Sequence, residues 1–295
     1  MTRNSYVSWI EKYYVFVGII LFFVSYLAFY PELWMITDAY SYSSQALAFA
    51  KGNPYLTQYN FLSESHQRIL YPPYNLGTSA YYAFWIKLFT GKGIFLGSIF
   101  AAIFSSILLH ATLKRLKYNQ LGTIILFISP VLFFSRSIMS GMPSLLLMSA
   151  VIYLLGLRPK SINAFLLSFL CFLSVWFRET NIILAGAILF YYIWKNLGLW
   201  KAMLSGALIA LSIKLLSTFW VYGHFWFQSH SEGFSFANLS VHMSLYLIIS
   251  LILIPGGYLF LLLYRGKASK SITVSSSLFI AVYILYNYSA IDFSG

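Results

Sequence analysis

Seven acidic residues are the first candidates for acid–base chemistry in this chain of 295 residues. They are Glu11, Glu32, Asp38, Glu64, Glu179, Glu232 and Asp292. Asp38 comes shortly after an apolar segment at 13–30, at a place where the following loop is predicted to return to the membrane surface. A carboxylate that is partly shielded from water at such a place can act as a general base. Asp38 can also simply cap the following helix, and its spacing alone favours the cap.

Two arginines also lie beside apolar segments. Arg136 stands in the stretch Ser135-Arg136-Ser137, and Arg178 is followed directly by Glu179. An arginine at the centre of a membrane helix costs roughly 2.5–3.5 kcal/mol on insertion scales, so these positions need a reason. One reason is an anionic ligand such as a lipid phosphate, which guanidinium groups bind through paired donors. The other is structural, either snorkelling or an ion pair of Arg136 or Arg178 with Glu179.

Two polar clusters in the loops could bind a divalent metal. They consist of Glu64, His66 and Arg68, and of His224, His230 and Glu232. Glu64 and His66, together with Glu179, are candidates for an acceptor or metal site. Neither spacing is diagnostic of a metal site, and solvated loop residues are the simpler interpretation of both clusters.

Lys214 lies inside an apolar segment at 202–222. An intramembrane lysine is either functional or one half of a buried pair. We favour a structural role for Lys214, because no acidic residue is predicted at its depth.

Composition places these residues in a membrane. The chain is 60% hydrophobic and 9% charged, whereas soluble domains carry about 25% charged residues. Its apolar residues fall in blocks of roughly twenty, the length that crosses a hydrocarbon core. The net charge of +12 does not indicate nucleic-acid binding, because the basic residues form short clusters between apolar blocks. The single cysteine, Cys171, gives no disulfide framework.

The apolar blocks predict an all-α polytopic membrane protein, with residues 1–295 forming one transmembrane domain. The predicted spans are 13–30, 93–113, 120–134, 139–157, 162–177, 180–194, 202–222, 241–264 and 272–289. A tenth segment, 74–90, is ambiguous because it contains Lys87 and is broken up by four small or polar residues, Asn75, Gly77, Thr78 and Ser79.

The distribution of basic residues settles the prediction for 74–90. If this segment lies in the interface and the N-terminus is cytoplasmic, twelve of the 19 Lys and Arg residues fall on the cytoplasmic side, as membrane proteins prefer. These are Arg3, Lys12, Lys114, Arg115, Lys117, Arg158, Lys160, Lys195, Lys201, Arg265, Lys267 and Lys270. We therefore predict about nine spans, with Glu11 inside and the other six acidic residues at or beyond the outer face.

Two long outer loops follow from this topology, at 31–92 and 223–240. The sequence of the first loop predicts two amphipathic helices that lie at the membrane surface. One begins at Thr37 or Asp38, ends near Gly52-Asn53-Pro54 and has an apolar stripe of Ala39, Tyr42, Ala46, Phe49 and Ala50. The other follows Tyr71-Pro72-Pro73, with Leu76, Ala80, Phe84 and Leu88 four residues apart.

This layout resembles the GT-C superfamily of membrane glycosyltransferases, which use polyprenyl-phosphate sugar donors; protein O-mannosyltransferases and aminoarabinose transferases are examples. One span followed by an outer loop with an early acidic residue and surface helices is similar to residues 10–92. The stretches that carry the resemblance are Thr37-Asp38-Ala39-Tyr40, Gly52-Asn53-Pro54-Tyr55, Tyr71-Pro72-Pro73-Tyr74, Ser135-Arg136-Ser137 and Arg178-Glu179-Thr180-Asn181. It covers roughly residues 10–195.

The resemblance implies a transferase that moves a sugar from a polyprenyl phosphate to a hydroxyl of a glycan, lipid or protein acceptor. It implies Asp38 as the catalytic base and Arg136 and Arg178 as ligands of the donor phosphate. The expected location is the plasma membrane, or inner membrane of a bacterium, with the active face outside. Two alternatives remain, namely a flippase or transporter of lipid-linked sugars, and a non-catalytic membrane subunit of a glycan-assembly complex.

The chain departs from the family pattern in two ways. Asp38 is flanked by Thr37 and Ala39, where many such enzymes have paired acidic residues, so the resemblance does not extend to a metal-dependent mechanism. The family is also usually longer, and we expect either a shortened member or a fragment.

Cysteine labelling tests the predicted topology. In a Cys171→Ala background, Ser231→Cys should react with a membrane-impermeant maleimide in intact cells, and Lys160→Cys should react only after the cells are permeabilised. Ser5→Cys is the control, because its cytoplasmic position does not depend on segment 74–90. The reverse labelling of Ser231→Cys and Lys160→Cys would mean that 74–90 spans.

Overall fold

The computed structural model describes 3–28, 37–53, 56–58, 68–70, 75–91, 93–118, 120, 123, 126–127, 135, 137–179, 181–223 and 225. Eight α-helices dominate these residues. They are α1 (Arg3–Ala28), α2 (Thr37–Ala50), α3 (Leu76–Phe89), α4 (Gly93–Arg115), α5 (Gly141–Leu155), α6 (Ser161–Phe177), α7 (Asn181–Lys195) and α8 (Trp200–Tyr222). A single turn of 3₁₀-helix, Leu197–Leu199, precedes α8.

The first long loop also contains two short strands that the sequence did not predict. They are β1 (Leu56–Gln58) and β2 (Arg68–Leu70), paired antiparallel with Leu56 opposite Leu70. Three residues are too few for a period-two pattern to be recognised in a sequence.

Helices α2 to α8 cover segments predicted to be helical, whereas the described residues of the predicted span 120–134, at 120, 123 and 126–127, are not α-helical. Helices α4 to α8 begin and end within a few residues of the predicted spans, and α1 begins earlier, at Arg3. The predicted spans at 241–264 and 272–289, and most of 120–134, lie outside the described residues. The count of nine spans therefore stays a prediction.

Length and composition single out two of the described helices as able to cross a membrane. These segments are Gly93–Arg115 and Leu197–Tyr222. Four further apolar helical segments are shorter: Tyr13–Ala28, Gly141–Leu155, Ser161–Phe177 and Leu184–Lys195. Helices α5 and α7 have 15 residues each and α6 has 17, so they are about 22–26 Å long.

The helices pack around two apolar cores. The first core gathers side chains of α1 to α4 together with Met142 at the start of α5, and the second gathers those of α5 to α8. Helix α4 is central to the first core and buries many small side chains, including those of Ser98, Ala101, Ala102, Ser105 and Ser106. Small residues let helices approach each other closely, and this packing matters in a membrane because the hydrophobic effect does not drive helices together there. The Ser105 and Ser106 hydroxyls donate to Ala101 and Ala102 carbonyls one turn back, so these buried groups are satisfied within α4.

Helix α2 ends as predicted. Its last carbonyls accept hydrogen bonds from the N–H groups of Lys51, Gly52 and Asn53, and Gly52 has a φ of 78°. Only glycine adopts that left-handed conformation without a steric penalty. The predicted apolar stripe is buried against the protein, since Ala39, Tyr42 and Ala46 all belong to the first core.

Helix α3 buries a different face from the predicted one. The predicted stripe leaves Phe84 and Leu88 more than half exposed, while Thr78, Ser79, Tyr82 and other residues on the opposite side are buried. The small and polar residues that interrupt the apolar pattern are therefore the packing face of α3. Phe84 and Leu88 are left on the surface, which suits a helix that lies in the interface.

Gly206 allows the close contact between α6 and α8. A Cβ at this position would collide with the main-chain carbonyl oxygen of Phe165, which cannot move as a flexible side chain would. Gly198 in the 3₁₀ turn has no such neighbour within 4 Å.

Replacing Gly206 by alanine should therefore destabilise the protein, because α6 and α8 must separate to admit the methyl group. We expect a loss of about 1–3 kcal/mol, as for other overpacked cores. Thermal unfolding of the purified protein in detergent measures this loss, and Gly198→Ala is the matched control with no expected change. An unchanged midpoint for Gly206→Ala would contradict the close approach of the two helices.

Candidate functional site

The turn between α6 and α7 carries the predicted site residues Arg178 and Glu179. Helix α6 ends at Phe177, and the Arg178 N–H donates to the Ser174 carbonyl at 3.0 Å. The Asn181 side chain then donates to the Ser174 carbonyl at 2.9 Å and to the Ser144 hydroxyl at 3.1 Å. Asn181 therefore fixes this turn to both α6 and α5.

Helix α3 holds the same turn from its other side. The buried Thr78 hydroxyl donates to the Phe177 carbonyl at 3.0 Å, one residue before Arg178. The neighbouring Gly77 lies so close to α6 that a Cβ there would be 2.7 Å from the Trp176 carbonyl oxygen. The glycine and the threonine of α3 together set how closely α3 approaches the end of α6.

A second polar contact of α3 fixes the segment that follows Arg136. The Tyr82 hydroxyl lies 2.7 Å from the Ser98 hydroxyl and 3.0 Å from the Met139 carbonyl, and it accepts the Met139 N–H at 3.1 Å. Ser98 in turn donates to the Ser137 carbonyl at 2.5 Å. Burial raises the pKa of the Tyr82 phenol, so it stays protonated and able to donate.

Arg136 itself lies outside the described residues, but both of its neighbours are described. Ser135 is buried, and the carbonyl of Ser137 is the one that Ser98 contacts. The main chain immediately after Arg136 is thus attached to α3 and α4. The role of Arg136 as a phosphate ligand stays a prediction.

Glu179 forms an ion pair with Lys214 of α8. The Lys214 Nζ and the Glu179 Oε1 are 3.5 Å apart, and the two side chains are 26% and 44% exposed, respectively. The prediction that no acidic residue lies at the depth of Lys214 is therefore wrong. It was wrong because the α6–α7 turn lies beside the middle of α8 and not beyond its end.

Arg178 is half-buried, and among the residues that the structure describes its side chain has neither a hydrogen bond nor an ion pair. The Glu179 carboxylate, which was a predicted partner of Arg178, pairs with Lys214 instead. The ion pair of Arg178 with Glu179 is therefore not formed, and an anionic ligand and snorkelling remain as explanations for this arginine.

A pocket of about 100 Å³ opens beside the ion pair. Its walls come from the start of α3, the end of α6, the middle of α8 and the residues after α8. It is lined by Asn75, Leu76, Trp176, Glu179, Leu211, Lys214, Leu215, Thr218, Tyr222 and Phe225. The pocket is mostly apolar, with the two charges of the ion pair on its wall.

Asp38 belongs to the first turn of α2, while the position of its carboxylate lies outside the described part. Its assignment as catalytic base or as helix cap stays open. Helix α2 is attached to α3, since the Ser79 hydroxyl donates to the Gln45 Oε1 at 2.7 Å. Three neighbouring residues of α3 therefore contact α2, the end of α6 and the segment after Arg136; they are Thr78, Ser79 and Tyr82.

Glu64 and His66 belong to the connection between β1 and β2, which is outside the described residues. Within the described part of the chain, no three His, Cys, Asp or Glu side chains come together to hold a metal ion. The prediction that Glu64, His66 and Glu179 form an acceptor or metal site is untested by these contacts.

The sequence interpretation overlooked Thr78 and Tyr82 as parts of this region, and it named Lys214 without identifying its partner. A signal for the first two was present, because Thr78 and Tyr82 are four residues apart and share one face of a helix. The Lys214–Glu179 contact had no such signal, since it joins two helices far apart in the chain.

Comparison with known proteins yields no relative. No family model matches the chain, and no curated protein or solved structure matches it. The assignment of function therefore depends on the residues and contacts described above.

Tyr82→Phe should destabilise the protein by about 1–3 kcal/mol, because the main-chain groups of Met139 lose a buried hydrogen-bond partner. Thermal unfolding in detergent measures the loss. Tyr40→Phe is the matched control, because Tyr40 is 60% exposed on α2. Equal effects of the two substitutions would contradict a special role for the Tyr82 hydroxyl.

Proposed function

We propose that this protein is a multi-pass membrane glycosyltransferase that takes a sugar from a polyprenyl phosphate and transfers it to an acceptor hydroxyl at the outer face of the plasma membrane. The proposal includes about nine spans and a cytoplasmic N-terminus. It draws on the resemblance of the chain to GT-C enzymes and on the contacts of α3.

The observation that carries the proposal is the attachment of two arginine-bearing turns to one face of α3. Thr78 contacts the residue before Arg178, and Tyr82 contacts the segment after Arg136. Four helical residues correspond to about 6 Å along the axis, so the two attachments are separated by roughly one turn. Turns attached so close together are compatible with a proposal in which both arginines bind one phosphate, which accepts several charge-assisted hydrogen bonds.

The lack of a described side-chain partner for Arg178 also supports an anionic ligand. Arg178 is partly buried and has no described partner, so its guanidinium group has N–H donors available for an anionic ligand. The phosphate of a lipid donor suits this position, because its chain stays in the bilayer while its charged end lies at the interface.

The proposed reaction is a single displacement. The oxygen of the acceptor hydroxyl attacks the anomeric carbon of the sugar, and the bond from that carbon to the phosphate oxygen breaks. The bonding electrons leave with the polyprenyl phosphate, and because the acceptor oxygen attacks from the face opposite to the phosphate, the configuration at the anomeric carbon is inverted. Asp38 accepts the hydroxyl proton, and Arg136 and Arg178 stabilise the negative charge that grows on the phosphate.

One observation favours a flippase or transporter of lipid-linked sugars as a second candidate. The ion pair of Lys214 and Glu179 is a charged contact within a predicted span, and such contacts often mark substrate pathways. The same assay that detects sugar transfer separates the two candidates, because a transporter moves the lipid across vesicles without changing it.

Asp38→Asn should abolish transfer by the purified protein, because an amide cannot accept the proton of the acceptor hydroxyl. The loss should be about 100-fold or more, the usual contribution of a general base. The measurement uses a panel of polyprenyl-phosphate sugars and follows both transfer and donor hydrolysis.

Glu32→Gln is the matched control for this experiment, because it neutralises another carboxylate of the same predicted loop to which no role is assigned. Full activity of Asp38→Asn would remove the proposed base. Movement of intact lipid in vesicles, with no transfer for any donor, would favour the transporter instead.

A further inference from the structure

The Lys214–Glu179 ion pair has the geometry of a weak contact. Its atoms are 3.5 Å apart, whereas charge-assisted hydrogen bonds are typically about 2.7–2.9 Å long. Both side chains are also partly exposed, which lowers the contribution of the pair to stability. The pair therefore gives a poor explanation for the presence of a lysine inside an apolar helix.

The pocket beside Lys214 indicates what else the ammonium group can bind. With a volume of about 100 Å³, it is well below the roughly 300–1,000 Å³ of pockets that enclose whole small molecules. It has room for a phosphate-sized group and the beginning of its chain. Leu76, Leu211 and Leu215 supply apolar walls for that chain.

The Lys214 ammonium on the pocket wall can donate hydrogen bonds to an anion. The Lys214 ammonium has three N–H donors, and its contact with Glu179 uses one of them. Trp176 also lines the pocket, and its indole nitrogen is buried without a hydrogen-bond partner in the described part of the chain. Because that nitrogen is enclosed by protein atoms, Lys214 is the donor that an anion in the pocket meets.

We propose that Lys214 is a ligand for the phosphate of an isoprenoid phosphate, and that Glu179 holds its ammonium group in place until that phosphate arrives. The ligand class rests on the proposed function. The phosphate displaces the Glu179 carboxylate from Lys214, since it offers more oxygens and up to two negative charges. Glu179 is then a competitor of the ligand and not a part of its site.

This competition predicts that removing the two charges has opposite effects on ligand binding. Lys214→Met should weaken the binding of farnesyl phosphate about tenfold or more, as expected for a lost charged hydrogen bond. Glu179→Gln should tighten it about two- to fivefold, because the competing carboxylate is gone. A purely structural ion pair predicts instead that both substitutions weaken binding and stability alike.

The measurement is titration calorimetry of the full chain in detergent. Farnesyl phosphate is compared with inorganic phosphate and with farnesol. Lys201→Met, an exposed lysine at the other end of α8, is the matched control and should bind as the wild type does. Lys214→Arg keeps the charge and should retain most of the binding, which separates a lost ligand from a misfolded variant.

Three results would overturn the proposal. One is unchanged binding in Lys214→Met, another is weaker binding in Glu179→Gln, and the third is equal affinity for inorganic and farnesyl phosphate. The ligand carries no sugar, so the test is independent of transfer. Loss of binding in Lys214→Met without any transferase activity would support this site and reject the proposed reaction, and transfer with intact binding in Lys214→Met would do the reverse.

Discussion

The structure depends on how main-chain groups are satisfied where helices end inside the protein. The turns after Arg136 and before Arg178 have carbonyl groups with no partner in their own helices, and such groups are expensive in an apolar environment. Two hydroxyls of α3, from Thr78 and Tyr82, lie against these carbonyls. Irregular main chain at membrane depth is tolerated only where protein covers it in this way.

This requirement explains why α3 combines apolar and polar residues. A helix that only filled space would carry leucine or alanine at positions 78 and 82. The hydroxyl groups instead connect the two cores, because α3 packs on α4 in the first core and contacts the end of α6 in the second. The close approach at Gly77 and the contact of Ser79 with α2 complete the same arrangement.

Much of the helical structure could be predicted from the sequence, since apolar blocks and Gly52 define the helices and one helix end directly. The contacts that polar side chains make between those helices were harder to predict. Thr78 and Ser79 were interpreted as interruptions of a span, because a single segment does not show which neighbours its polar groups will meet. Lys214 was assigned no partner, because its depth and that of Glu179 depend on how far α8 extends beyond α6. The catalytic role of Asp38 and the phosphate contact of Arg136 are predictions that these contacts neither confirm nor contradict.

The shortness of α5, α6 and α7 has a consequence for the surrounding lipid. With 15 to 17 residues each, these helices are several ångströms shorter than a hydrocarbon core of about 30 Å. If they cross the bilayer as proposed, the membrane must become thinner beside them, at a cost of a fraction of a kcal/mol per ångström of mismatch. Lipid headgroups would then descend toward the Arg178 turn. By thinning the bilayer around it, the protein would let the phosphate of a lipid reach the site while the lipid stays in its leaflet.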